Sequence, residues 1–187
     1  MSRGTNHDHV RAVERVANLT QGSHPHKGIA TAHASTLHHE AASIAPAVKP
    51  EKTFRLDEAN AIVPRLQILM ERLQRAALRL HDHMTDLARE MGIALTDLST
   101  DELLRHRPAA RALVEELDAV AQEIEESGAH LKDVQLGLVD FPAERDGEIV
   151  YLCWQFGEPE IAFWHRIEDG FAGRRPLPGS SGPRYLQ

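Results

Sequence analysis

Residues 137–166, which read GLVDFPAERDGEIVYLCWQFGEPEIAFWHR, decide the fold of this chain. Glycines recur there every ten residues, at Gly137, Gly147 and Gly157, which is the spacing of short strands and tight turns. Asp146-Gly147 is typical of a two-residue β-hairpin. We therefore expect a three-stranded antiparallel meander, with Pro142 on an edge strand. Its strands are predicted near Leu138–Pro142, Glu148–Phe156 and Ile161–Arg166.

The hairpin geometry predicts two unlike faces for this sheet. A two-residue turn places Asp140 opposite Cys153, and a four-residue loop over 157–160 places Cys153 opposite Trp164. One face is then apolar and should pack on helices; it carries Val139, Phe141, Val150, Leu152, Trp154, Phe156, Ile161 and Phe163. The other face is mixed and is the predicted ligand or contact surface; it carries Asp140, Tyr151, Cys153, Gln155, Trp164 and Arg166.

The position of His165 depends on the length of the second loop. With four loop residues it lies beside Leu152, where a structural histidine bonded to backbone or to a carboxylate is the simpler interpretation. With three or five residues it joins the row of Asp140 and Cys153, and Phe163 turns to the mixed face. That register would gather a metal-binding or nucleophilic set.

Two other charged residues near the sheet are candidates. Glu158, in the second turn, is either a carboxylate ligand at the end of the sheet or part of a solvated turn. Arg174 either holds an anion or is a solvated charge. The metal candidates are thus His165, Glu158 and Asp140, and a divalent transition metal is the cofactor that they suit.

Upstream of the sheet the sequence is helical. From Ala59 to Met91 apolar residues recur at steps of three and four, as in a coiled-coil seam. A similar run follows Pro108, which either kinks the second helix or starts a new one. The short connection at 92–98 predicts antiparallel helices over about 57–91 and 100–127. The expected fold class is α+β, with a long antiparallel helical hairpin followed by the small β module.

Composition divides the chain and limits its function. Residues 1–52 hold seven of the twelve histidines and are predicted to be a mostly disordered tail, either merely polar or a weak binder of Zn²⁺, Ni²⁺ or Cu²⁺. Residues 53–178 are predicted to form one folded domain, and 179–187 a flexible end. With 15 basic and 24 acidic residues from 53 onward, nucleic-acid binding is not expected. The lack of long apolar runs and the single Cys153 predict no membrane span and a cytoplasmic location.

No common catalytic motif is present. The sequence contains no G-x-G-x-x-G, Walker, H-E-x-x-H, C-x-x-C or G-x-S-x-G pattern. It also contains no glutamate followed three residues later by histidine, so the ligand pair of carboxylate-bridged di-iron bundles is missing.

Several segments resemble a family of bacterial and archaeal proteins catalogued as domain of unknown function 2203. They are Phe54–Pro64, Leu131–Asp133, Gly137–Pro142, Tyr151–Trp154, Gly157–His165 and Gly170–Pro176, so the resemblance covers about residues 54–178. It implies no activity, but it places six residues in the family's motifs: Asp140, Trp154, Glu158, Trp164, His165 and Arg174.

The sequence leaves two hypotheses open for a protein of unknown function. The first is a non-catalytic interaction or assembly module that forms a homo-oligomer through its helices. The second is a metal- or small-ligand-binding protein with its site on the β module. Whether the chain is an enzyme is left undecided.

Overall fold

The computed structural model describes residue 50 and residues 52–179. The predictions for the histidine-rich residues 1–49 and for residues 180–187 therefore lie outside the described part of the chain. Within it, mixed helices and an antiparallel sheet confirm the α+β class.

The helical part consists of one long helix and a broken return path. Helix α1 spans Leu56–Met91, and Gly92 ends it in the left-handed conformation with φ of 69°, which glycine adopts without steric cost. Helix α2 is Thr100–His106 and helix α3 is Arg111–Glu126, with short 3₁₀ turns at Leu95–Asp97 and Pro108–Ala110. Of the two alternatives for Pro108, the start of a new helix is the one found, because proline removes a backbone donor and is favoured in a first turn.

Helix α1 and helix α3 run in opposite directions and are joined by ion pairs on their outer sides. Arg65 of α1 pairs with Glu123 of α3. About two turns further along α1, Arg72 Nε lies 3.4 Å from Glu116 Oε1 of α3. The apolar seam of α1 is buried between them, including Leu66, Leu69, Leu73, Leu80 and Leu87. A two-helix hairpin nevertheless does not describe the helical part fully, since the chain after α1 is divided into two 3₁₀ turns and the two helices α2 and α3.

The sheet has five strands, not the three predicted from the sequence. The strands are β1 (His130–Asp133), β2 (Leu138–Arg145), β3 (Glu148–Gln155), β4 (Phe163–Arg166) and β5 (Arg175–Pro176), and they lie side by side in chain order. Strand β1 has only four residues and an irregular register, and β5 has two residues, one of them proline. Neither is long enough to show the alternation by which a strand is recognised in a sequence.

Pro142 lies on an inner strand, which corrects the edge-strand prediction. Strand β1 pairs with β2 only as far as Asp140, so no strand lies beside Pro142 on that side to require an amide hydrogen. The carbonyl oxygen of Pro142 accepts a 2.7 Å hydrogen bond from the amide of Phe54 instead of from a strand. The chain that enters α1 thus completes the edge of the sheet where β1 stops.

One face of the sheet packs on α1 and α3, and polar side chains of α1 fix its position. Val139, Phe141, Val150, Leu152 and Trp154 of this face share one core with the helix seam. Gln74 of α1 donates to the Val134 carbonyl at 2.9 Å, and Asn60 accepts from the Ile161 amide at 2.8 Å. The opposite face of the sheet carries the candidate site.

Candidate metal centre

The register of β2 and β3 is the one that the sequence predicts. Asp140 lies opposite Cys153, Phe141 opposite Leu152, and Pro142 opposite Tyr151. Asp146 adopts a positive φ of 53° and Gly147 one of 81°, as a type I′ two-residue turn requires. Asp140, Tyr151 and Cys153 therefore share one face.

The register of β3 and β4 differs by one residue from the four-residue-loop prediction. Cys153 pairs with Phe163 rather than with Trp164, and Tyr151 pairs with His165. His165 thus joins the row of Asp140 and Cys153, as the alternative loop length required. Since a shift of one residue reverses every side chain of a strand, Trp164 and Arg166 leave the mixed face, and their predicted place beside Asp140 is wrong.

Contacts from outside the hairpin account for this register. Ile161 bonds to Asn60 of α1, so it does not pair with Phe156. The Phe156 amide donates instead to the Gly137 carbonyl at 2.9 Å. Glu158 folds back on β3, where Oε2 accepts from the Gln155 amide at 2.8 Å.

Asp140, Cys153 and His165 form a compact group of metal-ligand types. One ligand atom from each, a carboxylate oxygen, a sulfur and an imidazole nitrogen, lies within 4.8 Å of the other two. The residues are 4%, 1% and 2% exposed, respectively. Each comes from a different strand, β2, β3 or β4, so the sheet itself sets their spacing.

The hydrogen bond of His165 to the backbone orients its other ring nitrogen towards this group. Nδ1 lies 2.8 Å from the carbonyl oxygen of Arg166, and since a carbonyl only accepts, Nδ1 carries a proton. Nε2 faces Asp140 Oδ2 at 3.3 Å. In a neutral imidazole Nε2 then presents a lone pair to a carboxylate, an arrangement satisfied by a proton or by a metal cation. Histidine ligands of metals commonly donate their second nitrogen to a carbonyl in this way.

Burial keeps Cys153 in its thiol form in the metal-free protein. Desolvation raises the pKa of the Cys153 thiol well above its ordinary value, and the charge of Asp140 and the hydrogen bond to its carboxylate act in the same direction. Arg174 opposes them. A protonated, buried thiol is a poor nucleophile, and it becomes a metal ligand only when it loses its proton as the metal binds.

Tyr151 forms the partly exposed border of the centre. Its ring centroid lies 5.6 Å from that of His165 and 6.0 Å from that of His130, while Lys132 Nζ lies 4.8 Å above it. Burial, followed by the charge of Asp140, raises the pKa of the phenol. His130 and Lys132 could not be placed here from the sequence, because they lie on β1, a strand of only four residues.

Glu158 and Arg174 form a separate buried ion pair next to the centre. Glu158 is not among the grouped ligand atoms; its oxygens lie 2.8 and 3.0 Å from Arg174 Nη2. The Glu158 carbonyl accepts from Trp154 Nε1 at 3.0 Å and from Gln67 Nε2 at 2.9 Å. This residue therefore joins β3, α1 and Arg174 beside the three grouped residues.

Trp164 and Arg166 lie on the helix-facing side, near the margin of the sheet. Trp164 packs against the core, with the guanidinium carbons of Arg145 and Arg175 at 4.5 and 5.3 Å from its ring centroid. Arg166 is exposed, and its Nη2 lies 3.6 Å from Glu148 Oε2. Phe163, which replaces Trp164 on the mixed face, contacts Arg174 with 4.2 Å between guanidinium carbon and ring centroid.

The fold and the centre thus define an α+β protein in which a helix-backed sheet carries a buried Asp-Cys-His group. A family model described as "Uncharacterized conserved protein (DUF2203)" matches residues 52–177, and the chain belongs to this family. The match confirms the resemblance found in the sequence and assigns no activity. No curated protein and no solved structure shows significant similarity to the chain. Among the described residues no helix is both long and apolar enough to cross a membrane.

Proposed function

We propose that the protein binds a divalent transition-metal ion through Asp140, Cys153 and His165. The observation that carries the proposal is the grouping of three buried ligand atoms within 4.8 Å of one another. The orientation of His165, fixed by the Arg166 carbonyl, supports it. Zn²⁺ fits best by ligand type, because it accepts thiolate, imidazole and carboxylate together.

The distances require only a small contraction around the ion. Metal–ligand bonds of about 2.0–2.3 Å put tetrahedral ligand atoms about 3.5 Å apart. His165 Nε2 and Asp140 Oδ2 are already 3.3 Å apart, so the sulfur needs the larger adjustment.

Charge also favours a dication at this position. A thiolate, a carboxylate and a neutral imidazole together carry two negative charges, which a divalent ion neutralises. Buried charges are tolerated when they are paired or coordinate a metal, and metal binding releases the thiol proton. Three protein ligands leave one tetrahedral position for a water molecule or a bound ligand.

Titration of the full-length, untagged protein with Co²⁺ tests this function. Cys153 is the only cysteine of the chain, so a near-ultraviolet thiolate-to-Co²⁺ charge-transfer band reports this centre and none of the histidines outside it. We expect the band to saturate at one Co²⁺ ion per chain and to disappear when Zn²⁺ displaces Co²⁺.

Variants of the ligands complete this test. Cys153→Ser should abolish the band, and His165→Ala should weaken Co²⁺ binding by at least about 100-fold, since loss of a residue that only supports a ligand already costs about 10–100-fold. His106→Ala is the matched control, because His106 is exposed on α2. Absence of the band at saturating Co²⁺, together with an unchanged melting temperature of the unmodified protein on Zn²⁺ addition, would overturn the proposal.

Self-association through the helices is the second candidate. The seam that motivated it is buried within one chain, so a second copy would have to contact the outer side of α1. Ile68 and Leu78 support such a contact, since they are 52% and 62% exposed and large apolar groups at a surface favour association.

Light scattering checks self-association directly. We expect a homodimer at micromolar concentration that dissociates when Ile68 and Leu78 are both replaced by Asn. The exposed Ala61→Asn on the same helix is the control and should remain dimeric. A monomer in the unmodified protein at 100-fold higher concentration would exclude the contact.

A further inference from the structure

We propose that the centre binds a small oxyanion, a carboxylate or a phosphate-like group, held by one oxygen on the metal and by another on Arg174 Nε. The inference rests on the proposed metal site and names the class of ligand that fills its open position. The orphaned donor of Arg174 beside Cys153 is the observation from which it starts.

Arg174 lies on the face of the sheet that carries the centre. Its guanidinium carbon is 4.2 Å from the ring centroid of Phe163, and Phe163 is the partner of Cys153 across β3 and β4. Nη2 lies 3.5 Å from the carbonyl oxygen of Cys153. The cation is therefore an immediate neighbour of one of the three ligand residues.

The guanidinium is held in place before any ligand arrives. Both carboxylate oxygens of Glu158 accept from Nη2, and the side chains of Glu158 and Arg174 are only 6% and 11% exposed. The rings of Phe163 and Phe171 lie 4.2 and 4.9 Å from the guanidinium carbon. A donor group fixed in this way loses little freedom on binding an anion.

One donor of this fixed group is unused. Arg174 Nε is buried and has no hydrogen-bond partner among the described residues. Buried polar atoms are nearly always satisfied, and those that are not call for a ligand, an ion or a water molecule. The neighbouring Arg175 differs, because it is about half exposed and pairs with Asp169 at 3.1 Å.

The charges make the binding of an anion dependent on the metal. Without the ion, the carboxylates of Asp140 and Glu158 both lie near the guanidinium of Arg174 and oppose the approach of a further anion. A divalent ion neutralises Asp140 and the Cys153 thiolate, and Glu158 balances Arg174. The loaded centre is then neutral and has an open coordination position, so an anion meets no net repulsion.

The proposed bridge defines the size of the ligand. A metal–oxygen bond of about 2 Å and an N–H···O bond of about 2.9 Å, separated by the width of one carboxylate or phosphate, bridge about 7 Å in total. Phe171, whose ring centroid lies 4.9 Å from the guanidinium carbon, is 40% exposed, so the guanidinium lies close to the protein surface on this side.

Calorimetric titration of the full-length protein with inorganic phosphate and, separately, with acetate tests the inference. The protein is compared with and without bound Zn²⁺ after free metal is removed by dialysis, and its metal content is measured in each sample. We expect at least one of the two anions to bind the loaded protein, with at least tenfold weaker binding to the metal-free protein. Arg174→Lys, which keeps the charge but loses Nε, should weaken binding at least tenfold, whereas Arg175→Lys should leave it unchanged.

The outcomes separate this inference from the metal site itself. Equal anion affinity in Arg174→Lys and in the unmodified protein, or in the loaded and metal-free forms, would overturn the inference while leaving the metal site intact. Binding of neither anion to the loaded protein would overturn it too. Loss of metal from the unmodified protein would defeat the proposed function first. If Arg174→Lys does not fold, the visible bands of the Co²⁺-loaded protein decide: they should shift on addition of the anion, and unchanged bands contradict the inference.

Discussion

Trp154→Ala should lower the free energy of unfolding by about 3–5 kcal/mol, the range for removing a large buried aromatic side chain. Trp154 is fully buried on the helix-facing side of β3, and its ring packs edge-on against Phe156 with 6.4 Å between centroids. The substitution removes this contact surface and also the Nε1 hydrogen bond to the Glu158 carbonyl. Urea unfolding followed by circular dichroism measures the loss.

Two further variants separate packing from hydrogen bonding at this position. Trp154→Phe retains most of the apolar surface and loses the donor, so it should cost less than Trp154→Ala. Leu136→Ala, between β1 and β2, is the control, since a side chain that is 51% exposed should contribute no more than about 0.5 kcal/mol. A Trp154→Ala variant as stable as this control would contradict the packing of β3 on the helices.

In the metal-free protein, Cys153 should make stability fall at alkaline pH. The folded state raises the pKa of the thiol above its ordinary value near 9.0, so above that pH the unfolded chain loses a proton that the folded chain keeps. Stability from this group is fully present below pH 9 and is lost as the pH rises further, by about 1.4 kcal/mol per pH unit. Between pH 9 and pH 11 the expected loss is about 2 kcal/mol, because the full slope is reached only about one unit above pH 9.

Comparison with Cys153→Ala isolates this effect. Lysines and Tyr151 titrate in both proteins, so their contributions cancel in the difference between the two unfolding free energies. Above pH 9 that difference should change by about 1.4 kcal/mol per pH unit. A chelator is present in all samples so that the protein stays metal-free. Parallel pH profiles for the two proteins would show that Cys153 ionises as easily in the fold as in the unfolded chain.

The β2–β3 hairpin could be predicted from the sequence because its determinants are local. Asp146-Gly147 specifies the turn, and the alternating pattern of residues 138–156 specifies which side chains face the core. Asp140 opposite Cys153 follows from these two facts alone. The same is true of the long helix, whose seam repeats over many turns.

The β3–β4 register could not be decided in this way, because its determinants are distant in sequence. Asn60, about a hundred residues earlier, binds the Ile161 amide, and Gln67 binds the Glu158 carbonyl. The loop between β3 and β4 is therefore positioned by its contacts with helix α1, not by the turn geometry of a short hairpin. His165 joins Asp140 and Cys153 for this reason, while Trp164 and Arg166 turn to the other side.

The short strands β1 and β5 were missed for a different reason. Strand β5, at Arg175–Pro176, is held by pairing with Trp164 and Phe163, not by any pattern of its own. The residue after β5, Leu177, donates its amide hydrogen to the carbonyl oxygen of Ala162. These edge contacts keep Arg174 over Phe163, where sequence spacing alone gives no reason to expect it.

The three candidate ligands come one each from successive strands, and this has a mechanical consequence. An ion bound by Asp140, Cys153 and His165 would cross-link β2, β3 and β4 in the direction perpendicular to the strands. Such a link resists the peeling of β4, a strand of only four residues, from the rest of the sheet. An ion at the centre would thus hold this short strand against β3, with which it pairs.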